Sequence, residues 1–140
     1  MFNLFPYLRN LKLPLISLLL AGFMMACQAA EAPQAEPFSE ARLKALQAEN
    51  TLVLVDITAD WCSTCRKQKA ILAKFQKTHP DAKLNVLTVD FDKQKDWVIH
   101  FKAPRQSTFV LFKGATQRWF AVAETREDVI FDELLRAAAP

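Results

Sequence analysis

Two cysteines with two residues between them, Cys62 and Cys65, lie in the run Trp61-Cys62-Ser63-Thr64-Cys65, where an apolar segment gives way to a Lys/Arg-rich helical pattern. Two cysteines so spaced at a helix start can close a small disulfide, and the helix N-terminus stabilises the thiolate that exchanges it. The chemistry to expect is dithiol/disulfide redox. Zinc sites use the same spacing, but neither His79 nor His100 stands at a distance along the chain that suggests a tetrahedral site, so no metal is expected, and exchange between dithiols needs no bound organic cofactor. A purely structural disulfide of this spacing would close a loop too small to constrain the unfolded chain much.

The elements that must position the pair follow from the hydrophobic pattern. Ser39 is a candidate N-cap, with Phe38 and Leu43 as a hydrophobic staple, for a short helix ending near Asn50. Residues 52–57 form a nearly continuous apolar run rich in β-branched side chains, the signature of a strand buried on both faces. A helix over 62–78 follows, with Ala70, Ile71, Leu72 and Phe75 on its apolar side and Arg66, Lys67, Lys69, Lys74 and Lys77 on its wet side. Further strands are expected over Leu84–Asp90, Thr108–Lys113 and 117–123, with helices over 92–101 and 126–138, the last capped by Thr125. The order αβαβαββα implies an α/β fold with a central mixed sheet flanked by helices.

The beginning of the chain reads differently. Arg9 and Lys12 precede an uncharged apolar stretch from Leu13 to Ala26, which makes residues 1–30 a signal peptide, lipoprotein leader or anchor segment. Cys27 follows Met24-Met25-Ala26, where a bacterial lipoprotein carries its lipidated cysteine, although methionines replace the usual Leu and Ala/Ser. Cleavage after Ala30 or Ala32 and an uncleaved anchor are the alternatives, and all three place the domain in the periplasm or on another extracytoplasmic face. Residues 31–37 read as a flexible tether and 38–140 as one domain. Without Arg9 and Lys12 the remainder is close to neutral, and no basic patch argues for nucleic acid.

From residue 38 to 138 the chain resembles the thioredoxin family. The resemblance rests on Asp56, six residues before Cys62, on Trp61-Cys62-Ser63-Thr64-Cys65-Arg66, and on Phe109-Val110-Leu111-Phe112-Lys113-Gly114. The segment Thr58-Ala59-Asp60-Trp61-Cys62 is similar to thioredoxin-like domains of envelope electron-transfer systems. The resemblance implies a monomeric thiol-disulfide oxidoreductase acting on protein thiols and disulfides, including a membrane or periplasmic dithiol partner. Cys62 would be the exposed nucleophile, Cys65 the resolving cysteine, and Asp56, desolvated in the sheet, the acceptor of the Cys65 proton. Trp61 would offer an apolar surface to a substrate chain, and Gln106, Ser107 and Thr108 would border its groove.

Three departures bear on that expectation. Ser107 stands where the family has a cis-proline, and a trans Gln106–Ser107 bond is expected because a cis non-proline peptide costs about 2.5–4 kcal/mol. That replacement also raises an alternative, a tethered module holding metal or an iron–sulfur cluster through the same thiols. Ser63-Thr64 differs from the pairs found in reducing and oxidising members, and the lack of a histidine there points to a reductase or electron relay. The family's lysine near the buried aspartate is replaced by an apolar residue near Val86.

Overall fold

Strand β2 (Leu52–Thr58) is buried along its whole length. It pairs in parallel with β3 (Leu84–Asp90) and antiparallel with β4 (Thr108–Lys113). Its side chains alternate between two cores, as strand geometry requires. Val53, Val55 and Ile57 join Phe38, Leu43, Leu46, Leu87, Val89 and Val110, whereas Leu52 and Leu54 join Leu72, Phe75, Phe109, Leu111, Ile130 and Leu134. Asp56 therefore shares a face with Leu52 and Leu54. That face lies against α2 (Ser63–Thr78) and α4 (Glu127–Ala138), so the sheet aims a carboxyl at the layer that carries the cysteines.

The computed structural model describes residues 35–139; the expected leader, the lipidation site Cys27 and the tether up to residue 34 lie outside the described residues. The sheet has five strands in the order β1-β3-β2-β4-β5, with β1 (Glu36–Pro37) parallel to β3 and β5 (Thr116–Val122) antiparallel to β4. On the face opposite α2 and α4, α1 (Glu40–Ala48) contributes Leu43 and Leu46, and α3 (Lys95–His100) contributes Val98. The expected mixed sheet between helical layers is present. Among the described residues, no helix is long and apolar enough to cross a membrane.

Local departures have identifiable causes. Glu36 and Pro37, read as tether, form β1 because they reach the free edge of β3, where Phe38 N donates to Thr88 O at 2.9 Å. Ser39 caps α1 as expected, accepting from Arg42 N at 3.2 Å. Thr125 does not cap α4; Glu124 Oε1 accepts from both Thr125 N and Arg126 N at 2.9 Å, because a longer carboxylate just before the helix reaches both donors. The third helix begins at Lys95 rather than 92, since Asp90 Oδ1 accepts from Asp92 N and Lys93 N and holds that segment as a turn. The buried stripe of α2 is Cys65, Gln68, Leu72 and Phe75, with Ala70 exposed.

Gly114 turns the β4–β5 hairpin at φ +53°, its N–H donating to Thr51 O at 3.0 Å. An added Cβ would stand 2.6 Å from Asn50 Oδ1. Because that side-chain end can swing aside, the left-handed backbone sets most of the cost. Gly114→Ala is expected to lower stability by about 1–2 kcal/mol, read as a fall in the urea midpoint at unchanged slope.

Candidate active site

Cys62 is the cap of α2, and its Sγ accepts a hydrogen bond from Cys65 N at 3.1 Å. The two cysteines form a disulfide with their Cα atoms 5.3 Å apart. A 16-residue helix thus directs its positive end at the first sulfur, which favours that sulfur as a thiolate. Arg66, one turn along, reaches back to Asp60 O at 3.5 Å.

The expectation of an exposed first cysteine is corrected by the structure. Cys62 is 4% exposed and Cys65 is fully buried. Cys62 Sγ turns inward, both to cap its own helix and to meet Ser107, which the fold brings in from 45 residues along the chain. What lies open beside it is Trp61, 61% exposed, whose indole Nε1 donates to Asp92 Oδ2 at 2.8 Å. This hydrogen bond orients a broad apolar ring next to the redox pair.

Asp56 is wholly buried, and neither of its carboxylate oxygens has a hydrogen-bond partner in the structure. Burial pushes its pKa up to about 7, with the charge of Lys69 opposing the rise. At the position where the resemblance places a lysine, Val86 is buried beside Leu54. The cation that acts on Asp56 comes from α2 instead: Lys69 lines a cleft of about 260 Å³ together with Thr58, Asp60, Thr88 and Asp90.

Ser107 is the surprise of the site. Its Oγ lies 3.0 Å from Cys62 Sγ and 3.1 Å from Cys65 Sγ, fully buried. The residue sits at φ +65°, and no described peptide bond is cis, as the expected trans linkage requires. Its N–H donates to Ile57 O at 2.8 Å, and its C=O accepts from Ala123 N at 2.8 Å and from Gln68 Nε2 at 3.3 Å.

Gln68 belongs to the site although no motif in the sequence marks it. It is fully buried and also donates to Glu124 O at 3.0 Å, so one side chain ties α2 to the loops before β4 and α4. Its signal in the sequence is a polar residue on the 65/68/72/75 stripe. Gln106 is half-buried beside Ser107. Thr108 is corrected as a substrate contact, because it is buried at the start of β4 and its hydroxyl donates to Arg105 O at 2.7 Å.

The two histidines stand outside the site. His79 ends α2 with its ring stacked on Phe75 at 4.9 Å, and His100 packs edge-on against Trp97 and Phe101. Among the described residues no group of three or more His, Cys, Asp or Glu is arranged to hold a metal ion.

Residues 34–136 match the Thioredoxin family model. The chain belongs to the thioredoxin family. Thioredoxin H3 of Arabidopsis thaliana is 29% identical over 89 residues, 64% of this chain and 74% of that protein. A Thioredoxin H-type of Oryza sativa subsp. indica is 27% identical over 108 residues, 77% of this chain and 82% of its own. Among solved structures, Trxlp from Edwardsiella tarda EIB202 superposes with a TM-score of 0.67 at 33% identity, over 72% of this chain and 98% of that one. A mutant thioredoxin from Halobacterium salinarum NRC-1 has a TM-score of 0.68 at 20% identity, over 79% and 96%, a likeness of fold. The chain is a thioredoxin-like thiol-disulfide oxidoreductase with Cys62 and Cys65 as its redox pair.

Proposed function

We propose that this thioredoxin-family domain works in the cell envelope, tethered through its N-terminal segment, as a reductase or electron relay for protein disulfides. The observation that carries the chemistry is the Cys62–Cys65 disulfide at the start of α2 with the unpaired, buried carboxyl of Asp56 on the same layer. The envelope location is supported by Arg9, Lys12, the apolar stretch to Ala26 and Cys27.

In the reducing direction the Cys62 thiolate attacks one sulfur of a substrate disulfide. A Cys62–substrate bond forms, the substrate's own S–S bond breaks, and its other sulfur leaves as a thiolate that takes a proton from water. Cys65 then gives its proton to Asp56, directly or through water, and attacks Cys62 Sγ. The intramolecular disulfide forms and the second substrate thiolate departs and is protonated. The substrate gains two electrons and the pair loses two, to be restored by a partner dithiol. Trp61 and the backbone at Gln106 flank the attacked sulfur and hold the substrate chain.

Two measurements on the full-length chain test this reading. The couple should equilibrate on the reducing side of the glutathione pool, and the protein should fractionate with the envelope, with Cys27→Ala releasing it from membrane if Cys27 is lipidated. A potential as high as that of a strong oxidant would remove the reductase assignment. Recovery of an unprocessed chain in the cytosol would remove the location.

A further inference from the structure

Thiol-disulfide exchange needs its two sulfurs to become anionic at different moments, and this site holds a hydroxyl against both. Ser107 Oγ is 3.0 Å from one sulfur and 3.1 Å from the other, in a buried position where water cannot compete freely. With the cysteines oxidised, neither sulfur carries a proton, so the hydroxyl is the donor and the disulfide sulfurs are weak acceptors. With Cys62 as a thiolate, the same donor meets a full negative charge. A hydrogen bond to a charged group is worth more than one to a neutral group. The hydroxyl therefore favours the reduced state over the oxidised one.

The backbone of Ser107 is fixed for this purpose. Its N–H is held by Ile57 O, and its C=O by Ala123 N and Gln68 Nε2. These bonds come from β2, from the turn after β5 and from α2, so the residue cannot drift away from the sulfurs without breaking ties to three elements. Its φ of +65° is unusual for a side chain other than glycine, and the strain is borne at the point where the hydroxyl touches the reacting atoms.

We propose that Ser107 is a catalytic residue, whose single hydroxyl proton is donated to the Cys62 thiolate in the reduced protein and swings to Cys65 as that thiolate forms to attack the mixed disulfide. No bond to Ser107 is made or broken, and its proton stays on oxygen throughout. The role rests on the exchange chemistry of the Cys62–Cys65 pair and adds to it a donor that sets both thiolate stability and redox potential.

Ser107→Gly is the direct test, since glycine adopts positive φ without cost, keeps the N–H and C=O bonds, and removes only the hydroxymethyl group. Thiolate absorbance during a pH titration reads the Cys62 pKa, and equilibration with glutathione reads the potential. The titration is repeated in an Asp56→Asn background so that the buried carboxyl does not contribute. The variant is expected to raise the Cys62 pKa by about one unit, a tenfold loss of thiolate stabilisation. Its couple should become about tenfold more reducing above that pKa, about 30 mV for two electrons. The difference in potential should shrink at low pH, where both cysteines are neutral thiols, a trend that a merely structural role would not produce. Ser107→Ala, which keeps a Cβ, should behave alike and serves if the glycine variant does not fold. A folded variant with the native Cys62 pKa and native potential overturns the proposal. Absence of any titrating thiol in the native reduced protein would instead strike at the exchange chemistry itself.

Discussion

Cys62→Ser is expected to reduce disulfide-reductase turnover to the uncatalysed background, whereas Cys65→Ser should leave a single attack that ends in a trapped mixed disulfide. The difference follows from position. Cys62 Sγ is at the positive end of α2 and accepts from Cys65 N, while Cys65 is fully buried behind it. A serine at 62 is a far weaker nucleophile near neutral pH, and no other described residue occupies its place. Reduction of insulin in the presence of dithiothreitol measures turnover, and intact-protein mass spectrometry detects the adduct on the Cys65 variant. Turnover surviving in Cys62→Ser, or an adduct on Cys65 in that variant, would reverse the assignment of attacking and resolving sulfurs.

Asp56→Asn should make the protein more stable and slower. The folded pKa of Asp56 is raised from 3.8 to about 7 by desolvation, so the native state holds this proton more tightly than the unfolded chain does. Within that interval the native state binds more protons, and stability falls as pH rises. The loss begins near the unfolded value, is complete just above the folded one, and is flat beyond. Above pH 7 it is on the order of 4 kcal/mol, an upper limit on the gain from asparagine, whose amide would itself be buried. Below pH 4 the variant and the native chain should converge. In the mechanism proposed above the same substitution removes the acceptor for the Cys65 proton, and it should slow release of the mixed disulfide by roughly 10²–10⁴-fold. Urea denaturation across pH and single-turnover release of a fluorescent substrate measure the two effects. Equal stability at pH 8 would show that this carboxyl does not strain the core, and an unchanged release rate that it does not take the proton.

The sequence made the centre of this molecule legible because its signals there are local. The apolar run before Cys62 reads as a buried strand from its length and β-branched content, and Asp56 within it is conspicuous as a charge among those side chains. The cysteine spacing and Trp61 named the chemistry. What escaped depended on contacts between distant segments. Two residues of β1 are too short for any periodicity, and only the free edge of β3 makes them a strand. The inward turn of Cys62 depends on a serine 45 residues away. Gln68 carried a clue in its place on the buried stripe of α2, but its partners at Ser107 and Glu124 lie 39 and 56 residues further on. Thr108 lies next to the site in sequence, but the fold commits its hydroxyl to Arg105 O.

The conformation at residue 107 restricts what can replace it. Proline is confined near φ −65° and has no N–H, whereas Ser107 lies at +65° and uses its N–H to hold Ile57 O. Although a single base change can convert a serine codon into a proline codon, that change alone would demand a reversal of the loop's handedness and orphan a carbonyl on the central strand. Ser107→Pro is thus no simple exchange in this chain, and accommodating it calls for coordinated replacements in the segments that hold residue 107, namely β2, the turn after β5 and α2.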